Sequence, residues 1–303
     1  MNTDEKLNFE GRVAIVTGGA RGMGREHCLN LARGAAKIIV NDIDEGAARE
    51  AVGVIRAAGG EAEAVIKDIS TWEGASDLIE GTLDAFGRVD IIVSNAAVIN
   101  MCPMSEMTPE NFDRVMRVNA QGPYYLVLAA WPHLIRQNYG RIVLVSSGAA
   151  TVGQPTLTHY AASKGAVLGM VRSIALEGEP YDIRVNGLIP VAATEMTRQV
   201  HSPEKAAEQE EMLPARLVSP VMAWLAHEDC KTTGELWQAG AGRVGREFIA
   251  STRGYFNRDL TIEKVRDNEA EIQDQIGYAV PLDSSEMYNW IVKNSIERES
   301  DNR

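Results

Sequence analysis

The chain has 303 residues, of which 45% are hydrophobic and 24% are charged, a composition typical of a folded globular protein. Its 42 acidic and 30 basic side chains give a formal net charge of −12, which argues against nucleic acid or an anionic membrane surface as a partner. No apolar run is long enough to span a bilayer, and the polar N-terminal residues MNTDEKLNFEGR do not have the pattern of a signal or transit peptide.

The cysteines indicate the redox environment. Cys28, Cys102 and Cys230 are far apart and odd in number, so they predict free thiols rather than a disulfide framework or a metal site. We therefore expect a cytoplasmic protein without a bound metal.

The first two thirds of the chain alternates short β-branched runs with helical stretches. Each run is apolar in its interior, as buried parallel strands are. The candidate strands are Val13–Gly19, Lys37–Asp42, Glu63–Asp68, Val89–Ala96, Arg141–Ser147 and Ile183–Pro190. Strands that alternate with helices predict right-handed βαβ units and an α/β fold with a doubly wound parallel sheet of Rossmann type. In such a sheet, ligands bind at the carboxyl ends of the strands.

The pattern is looser after Pro190. Residues Thr194 to Arg216 are charged and helix-prone, which is typical of a mobile lid. The segment Pro220–Glu228 predicts a helix with proline at its start, and Gly234–Arg246 predicts a last strand with glycine-rich turns.

The tail predicts two amphipathic helices. One carries Val265, Ile272 and Ile276 near a common face, and the other carries Met287, Trp290 and Ile291 after a capping box of Asp283 and Glu286. We therefore expect a domain over residues 1–250 and a helical extension over residues 251–303, packed on that domain or on a neighbouring subunit.

A glycine-rich loop, TGGARGMG, follows the first strand and opens a helix. Gly18, Gly22 and Gly24 allow a tight turn and let backbone N–H groups approach a pyrophosphate at the helix N-terminus. The second strand ends at Asp42, about twenty residues further on, where a carboxylate can accept hydrogen bonds from an adenosine ribose. Because this anion would repel a 2′-phosphate and no arginine stands immediately beside it, the pattern favours NAD over NADP. The alternative for Asp42 is a solvated turn residue.

The stretch THYAASKGA places Tyr160 and Lys164 four residues apart, on one face of a predicted helix. Taken alone, this spacing is that of any helix. Tyrosine is a poor base at neutral pH because its pKa is about 10, but a lysine ammonium nearby favours the phenolate. Ser146 and Ser147 end the fifth strand upstream, and strand alternation lets only one of them face a given side.

Several motifs in a fixed order resemble the short-chain dehydrogenase/reductase family from about Gly11 to Gly242. They are the TGGARGMG loop, Asp68 in KDIS, SNAA, the asparagine of VNAQG, SS before a YxxxK pair, and a proline after the sixth strand. The resemblance implies an NAD-dependent enzyme that interconverts a secondary alcohol and a ketone. It also implies a small-molecule substrate and a homodimer or homotetramer.

The resemblance implies a role for each matching residue. Tyr160 would be the general base in oxidation and the general acid in reduction, while Lys164 would tune it and bind the nicotinamide ribose. Of the two serines, the family spacing selects Ser147 to hold the substrate oxygen. Asn119 would hold a water molecule for proton relay, although an amide that kinks a helix or satisfies core groups is the alternative. The implied cofactor-binding residues are Gly18, Arg21, Gly22, Met23, Gly24, Asp42, Asp68, Ile69, Asn95, Ala96, Tyr160, Lys164 and Thr194.

Two of these assignments have simple alternatives, and two positions depart from the family pattern. Asp68 could cap a turn, and Thr194 could cap the helix that follows it. The family's NNAG is SNAA here, with Ala97 in place of a glycine, and its Pro-Gly is Pro190-Val191. Because valine disfavours positive φ, we expect the loop beneath the nicotinamide to follow a different path.

Three segments narrow the resemblance within the family: AAWPHLIRQNYGRIVLVSS, WLAHEDCKTTGELWQAGAGRVGR and LTIEKVRDN. They are similar to the (3R)-hydroxyacyl-CoA dehydrogenase part of the multifunctional enzymes of peroxisomal β-oxidation. The implied substrate is a (3R)-hydroxyacyl-CoA or a similarly bulky, lipid-like alcohol. The alternative is a hydroxysteroid, terpene or cyclic-alcohol dehydrogenase that uses no CoA. A nucleotide-binding sensor without catalysis is disfavoured, because the tyrosine, lysine and serine are all present.

Overall fold

The computed structural model describes residues 7–193 and 203–301, and eight strands form one sheet in the order β3-β2-β1-β4-β5-β6-β7-β8. The strands are β1 Val13–Thr17, β2 Lys37–Asp42, β3 Ala62–Ile66, β4 Ile91–Ser94, β5 Gly140–Val145, β6 Ile183–Val191, β7 Leu236–Gly240 and β8 Arg243–Glu247. Neighbouring strands from β3 to β7 run parallel, so the predicted doubly wound parallel sheet is confirmed.

Helices connect the strands and cover both faces of the sheet. The α-helices are α1 Gly22–Arg33, α2 Glu45–Ala57, α3 Trp72–Phe86, α4 Pro109–Met116, α5 Gly122–Gln137, α6 Gly148–Val152, α7 Thr158–Gly178, α8 Pro203–Met212, α9 Ser219–Ala226, α10 Ile262–Asp267, α11 Glu269–Gln273 and α12 Ser284–Asp301. Short 3₁₀ helices lie at Met104–Glu106, Glu179–Tyr181 and Ala215–Leu217, and a π-helical turn covers Arg117–Gln121. Among the described residues, no helix is long and apolar enough to cross a membrane.

The hydrophobic core lies on both sides of the sheet, because the strand interiors are apolar on both faces. Strand β1 illustrates the alternation. Val16 packs in a cluster with Leu31 of α1 and Met222 of α9, whereas Ile15 packs on the other face with Leu126 of α5. Successive side chains of a strand point to opposite faces, so a five-residue strand contributes to two cores at once.

The strand order reverses between β1 and β4, and this reversal positions the site. Thr17, the last residue of β1, is in register with Asn41 of β2 and with Ser94 of β4. The carboxyl ends of these strands therefore lie side by side. The segments that leave β1 and β4 diverge there and open a crevice, which is where doubly wound sheets bind ligands.

The predicted last strand, Gly234–Arg246, is two strands rather than one. Ala241 and Gly242, between β7 and β8, have φ values of 49° and 76°. Two consecutive positive φ angles are what a two-residue type I′ hairpin turn requires. The glycine-rich turn that the sequence indicates thus folds the segment back on itself.

The chain divides into two compact units, one ending at Arg246 and the other beginning at Glu247. In the second unit, the first predicted tail helix is two short helices, α10 and α11, and Ile276 lies beyond both.

The predicted capping box is present at the start of α12. Asp283 accepts a hydrogen bond from the backbone N–H of Glu286 at 2.8 Å, and the Glu286 carboxylate accepts one from the N–H of Leu282 at 2.7 Å. Two N–H groups at the helix start are therefore satisfied by side chains.

Candidate active site

A cavity of about 350 Å³ opens at the carboxyl ends of β1, β4, β5 and β6. Its lining brings together segments that are far apart in the sequence. The lining residues are Gly18, Arg21, Gly22, Met23, Gly24, Asn95, Ala96, Ala97, Ile99, Val145, Ser146, Ser147, Gln154, Leu157, Tyr160, Lys164, Pro190 and Ala192. Ten of these belong to the site predicted from the sequence.

The glycine-rich loop depends on its glycines for backbone conformation and for space. Gly18 and Gly22 have φ values of 61° and 51°. A Cβ atom on Gly24 would lie 2.0 Å from the carbonyl oxygen of Gly18, so no side chain fits there. Arg21 precedes α1 in an extended conformation, and its side chain does not cap the helix. The first-turn N–H groups of α1 have no intrahelical acceptor, so the loop fits the pyrophosphate of a dinucleotide.

Asn95 holds the loop against β4. Its Nδ2 donates to the carbonyl oxygens of Thr17 at 3.1 Å and Gly18 at 3.3 Å. The Thr17 hydroxyl accepts hydrogen bonds from the backbone N–H groups of Asn95 at 3.0 Å and Ala96 at 3.1 Å. These four bonds join the ends of two neighbouring strands, so Asn95 shapes the loop and lines the cavity at the same time.

The end of β2 carries two acidic residues. Asp42 accepts hydrogen bonds from the N–H groups of Ile43 at 2.8 Å and Asp44 at 3.1 Å, and one from Ala20 in the glycine-rich loop at 3.3 Å. Asp44 caps α2 and also contacts Arg21, with 2.6 Å between its Oδ2 and the arginine Nη2. The backbone N–H of Ala47 and the Arg21 guanidinium hold the pKa of Asp44 below its usual value.

This ion pair bears on the preference for NAD over NADP that the sequence predicts. No arginine adjoins Asp42 in the sequence, yet the fold brings the Arg21 guanidinium to the same strand end. Arg21 forms an ion pair with Asp44 there. The positive charge is therefore balanced by a carboxylate.

Four predicted residues are not among those that line the cavity, and one lies outside the described residues. Asp42, Asp68, Ile69 and Asn119 form the first group, and Thr194 is the last. Asp68 is exposed and accepts a hydrogen bond from the N–H of Ser70 at 2.9 Å, which is the turn-capping alternative. Ile69 is buried and packs with Leu126 in the core.

Tyr160 and Lys164 are both buried on α7. The lysine Nζ donates to the carbonyl oxygen of Val145 at 2.8 Å and lies 6.0 Å from the centre of the tyrosine ring. The Ser147 hydroxyl accepts a hydrogen bond from the Ala149 N–H at 3.2 Å, and its interaction with the Tyr160 hydroxyl lowers the pKa of the tyrosine. The Ser146 hydroxyl instead donates to the carbonyl oxygen of Lys164 at 2.9 Å. The two serines thus have different partners: Ser146 ties β5 to α7, and Ser147 contacts the tyrosine.

Burial dominates the electrostatics of this group. It raises the pKa of Tyr160, and the hydrogen bond with Ser147 opposes that rise. It lowers the pKa of Lys164 to about 8, so the lysine keeps its proton at neutral pH. The sequence predicted that Lys164 would lower the pKa of Tyr160, but Lys164 is not among the influences on that pKa.

Asn119 lies in the π-helical turn between α4 and α5 and is fully buried. Its amide brackets Val98: the oxygen accepts from the Val98 N–H at 2.8 Å, and the nitrogen donates to the Val98 carbonyl oxygen at 2.9 Å. The nitrogen also lies 3.2 Å from the Ser163 hydroxyl on α7. Asn119 thus has the contacts of a core amide in a helix irregularity, a role that is compatible with holding a water molecule. Such π-turns are frequent at functional sites.

The two departures from the family pattern have different consequences. Ala97 lines the cavity. Val191 is the last residue of β6 and pairs with Gly240 of β7, so the strand continues through the position where the family has glycine. A Cβ atom on Gly240 would lie 2.3 Å from the Val191 carbonyl oxygen, so the close approach of β6 and β7 at this point requires the glycine on β7.

Gln154 is a lining residue that the sequence reasoning missed. It follows Gly153, which has a φ of 77°, and precedes Pro155. The Gly-Gln-Pro run between the serine and the tyrosine is a turn signal that could have directed attention to it.

A dinucleotide-shaped loop beside a buried tyrosine, lysine and serine defines, as a class, the dehydrogenases built on a Rossmann-type sheet. The family model for short chain dehydrogenases matches residues 12–205. The chain therefore belongs to the short-chain dehydrogenase family and is an oxidoreductase, which confirms the resemblance seen in its motifs.

Relatives refine this placement. The chain is 35% identical over 295 residues to peroxisomal multifunctional enzyme A of Dictyostelium discoideum, covering 94% of this chain and 65% of that protein. It is 36% identical over 278 residues to a protein of Mycobacterium tuberculosis named as a short-chain type dehydrogenase/reductase, covering 88% of this chain and 95% of that one.

A solved structure supports the same grouping. The full-length peroxisomal multifunctional enzyme type 2 from Drosophila melanogaster aligns with a TM-score of 0.82 and 27% identity, over 96% of this chain and 50% of that chain. The chain therefore spans between about a quarter and two thirds of the length of the multifunctional relatives it matches, 26% at the least and 65% at the most. The similarity to these enzymes that the sequence segments indicate is confirmed.

Proposed function

We propose that this protein is an NAD-dependent dehydrogenase that interconverts a secondary alcohol and a ketone on a (3R)-hydroxyacyl-CoA or a similarly bulky, lipid-like substrate. One observation carries the proposal: Ser147, Tyr160 and Lys164 line the same cavity as the glycine-rich loop. A hydroxyl pair beside a dinucleotide site is suited to holding and deprotonating an alcohol.

The cofactor would be held by residues that fit its parts. The backbone of Gly18, Gly22 and Gly24 would hold the pyrophosphate, Asp42 the adenosine ribose, and Lys164 the nicotinamide ribose. NAD, when bound, supplies the acceptor for the hydride that leaves the alcohol carbon.

The chain's own residues would move the proton. Ser147 would hold the substrate oxygen and stabilise the charge that develops on it. Tyr160 would take the hydroxyl proton in oxidation and return it in reduction. Lys164, whose pKa is about 8, is close enough to neutrality to exchange a proton, and Asn119 would hold the water that relays this proton to solvent.

The preference for NAD over NADP rests on charge at the end of β2. Asp42 would face the ribose, and the Arg21 guanidinium is engaged by Asp44. A 2′-phosphate would therefore meet an unpaired carboxylate and an arginine that is already neutralised. Initial rates with NAD and NADP test this, and a higher kcat/KM with NADP would contradict it.

The substrate class rests on the similarity to enzymes named peroxisomal multifunctional enzymes and on the apolar wall of Ile99 and Leu157. The test is NADH formation from stereodefined (3R)- and (3S)-hydroxyacyl-CoA thioesters beside a panel of hydroxysteroids, terpene alcohols and cyclic alcohols. Turnover of the (3R)-thioester alone is the expected result. Activity on the panel but on no thioester would select the alternative without CoA, and no activity on any alcohol would contradict a dehydrogenase.

We also infer a cytoplasmic homodimer or homotetramer. Tyr124 and Leu128 of α5 are 47% and 45% exposed, and an apolar helix face of this kind favours association. Light scattering of the purified chain gives the mass directly. A monomeric mass would contradict the inference.

A further inference from the structure

Polar side chains that line the cavity fall into two groups. Most of them already have partners within the protein. Asn95 and Lys164 donate to backbone carbonyl oxygens, Ser146 donates to the carbonyl oxygen of Lys164, and Arg21 pairs with Asp44. Ser147 accepts a hydrogen bond from the Ala149 N–H, and Ser147 and Tyr160 are assigned to the reacting oxygen under the proposed function.

Gln154 forms the other group. Within the described part of the chain, its side-chain amide makes no hydrogen bond, although the residue lines the cavity. An amide offers two N–H donors and an acceptor oxygen. Ile99 and Leu157 contribute apolar surface to the same lining. Gln154 is exposed, so its amide is hydrated in the free protein and remains available to a ligand in the cavity.

The turn that carries Gln154 is closed by a backbone hydrogen bond. The Leu157 N–H donates to the Gln154 carbonyl oxygen at 3.3 Å, with Pro155 at the second turn position and Thr156 at the third. Thr156 has a φ of 67°, so the turn has the pattern of type II. Proline fixes one φ angle of the turn and the hydrogen bond closes it, which restricts where Gln154 can lie.

A further hydrogen bond holds the turn in place, and its backbone is strained. The Cys102 N–H donates to the Thr156 carbonyl oxygen at 2.9 Å, which joins the turn to the segment after β4. A β-branched residue at positive φ is a backbone outlier, and the buried Thr156 hydroxyl has no hydrogen-bond partner. Strain of this kind persists where the surrounding structure enforces it and is concentrated at ligand sites.

From this placement, and resting on the proposed function, we infer that Gln154 is a specificity-determining residue whose amide N–H donates to a second oxygen of the substrate, a carbonyl placed near the alcohol carbon. Ser147 and Tyr160 hold the reacting oxygen, and the Gln154 amide donates a hydrogen bond to the carbonyl oxygen. A 3-hydroxyacyl thioester has both oxygens in this relation. A simple secondary alcohol lacks the second oxygen and leaves the exposed Gln154 amide to water.

A matched pair of substrates tests this inference. One is a (3R)-hydroxyacyl thioester, and the other is the corresponding thioether, in which a methylene group replaces the carbonyl. The wild-type protein is expected to favour the thioester in kcat/KM by about fivefold, the effect of one typical hydrogen bond between neutral groups.

Two variants remove the donor in different ways. Gln154→Leu removes all hydrogen bonding, and Gln154→Glu keeps the shape but only accepts hydrogen bonds at neutral pH. Both are expected to abolish the preference for the thioester while kcat/KM for the thioether stays within about twofold, because the lost interaction is absent from the thioether complex. Val152→Ala is the matched control: Val152 is 87% exposed, precedes the same turn and does not line the cavity, so both substrates should be unaffected.

The outcomes separate the two proposals. A wild-type protein that turns over both compounds equally well overturns the role of Gln154 and leaves the dehydrogenase proposal in place. A Gln154→Leu variant that keeps the thioester preference, or that loses activity equally on both compounds, also overturns it. A wild-type protein that oxidises neither compound overturns the proposed function and this inference with it.

Discussion

Each end of the sheet places a tyrosine beside cations, but the two ends differ in whether their polar groups are already paired within the protein. At the amino end, Tyr139 lies between two guanidinium groups, with the carbon of Arg12 3.7 Å and that of Arg141 4.3 Å from the ring centre. At the carboxyl end, the Lys164 nitrogen lies 6.0 Å from the ring centre of Tyr160. The amino end has the closer cations, yet the cavity is at the carboxyl end.

The amino end has its charges paired within the protein. Asp90 is fully buried and accepts a hydrogen bond from the Val13 N–H at 3.0 Å. Its carboxylate also pairs with Arg88 at 2.6 Å and Arg12 at 3.3 Å, and Arg12 reaches Glu228 at 2.6 Å. Little bonding capacity remains there for a ligand.

The carboxyl end keeps capacity free. Tyr160 and Ser147 line an open cavity beside the glycine-rich loop, and Gln154 in the same lining makes no side-chain hydrogen bond within the described residues. A tyrosine next to a cation therefore does not by itself define a reactive site. Access to a cavity and polar groups that are not already satisfied do.

The largest expected effect tests the carboxyl end. Tyr160→Phe removes the proton-transfer group and should reduce kcat by about 10²- to 10⁴-fold, the usual range for general acid–base catalysis. NAD affinity, measured by calorimetry, should change little. The matched substitution Tyr139→Phe at the amino end should leave turnover unchanged. Equal losses of turnover in both variants would contradict the assignment of the reactive site to the carboxyl end.

The next effect tests the amino end. Asp90→Ala leaves two guanidinium groups and a backbone N–H without their acceptor, so it should reduce the free energy of unfolding by about 3 kcal/mol. Denaturant titration gives this value, and turnover per folded molecule should be unchanged. Glu228→Gln is the control: the Glu228 side chain is 56% exposed, and loss of this pair should cost less than about 1 kcal/mol. Similar losses in the two variants would show that Asp90 does not organise this end.

A pH-dependent effect distinguishes Lys164 from the paired cations. Its pKa is lowered from 10.5 to about 8, so burying the ammonium destabilises the folded protein fully below pH 8. This loss of stability shrinks as pH rises from about 8 to 10.5. In that range the lysine is neutral in the folded protein but still protonated in the unfolded chain, so rising pH favours folding. Lys164→Met should therefore be more stable than the wild type at pH 7, by about 2 kcal/mol after loss of the bond to Val145.

The measurement is thermal unfolding across this pH range. The advantage of Lys164→Met should shrink steadily between pH 8 and pH 10.5. A constant difference over the whole range would show that the lysine charge is not what destabilises the site.

The smallest effect concerns the strained turn beside the cavity. Thr156→Gly removes a β-branched side chain from positive φ and should stabilise the fold by about 1 kcal/mol, net of the greater freedom of glycine in the unfolded chain. Thr151→Gly, the same exchange in helix α6, should instead lower stability, because glycine is a poor helix former. Denaturant unfolding of both variants gives the sign, and destabilisation by Thr156→Gly would contradict the strain.

Elements governed by local pattern were predictable. The apolar runs of β1 to β6 identify buried parallel strands, since a strand covered on both faces must be apolar throughout. The glycine spacing identifies the phosphate loop because Gly18 and Gly22 need positive φ and Gly24 has no room for a side chain. The hairpin of β7 and β8 was not predicted, because its glycine-rich turn is equally compatible with a turn at a strand end.

Contacts between distant segments were not predictable. Which of Ser146 and Ser147 contacts Tyr160 depends on the pairing of β5 with its neighbours and on the position of α7. The ion pair of Arg21 with Asp44 arises because the loop after β1 and the end of β2 lie side by side. Neither local spacing nor composition records these distances.

The amino-acid sequence thus carried the fold class and the identity of most residues around the site, because periodicity and glycine placement act over a few residues. The tertiary structure decided which polar groups are already paired and which are free. Asn119 is bound to the Val98 backbone, Arg21 is balanced by Asp44, and Gln154 keeps its amide unpaired in the cavity wall. That distinction depends on packing between elements far apart in the chain, which the periodicity of the sequence does not specify.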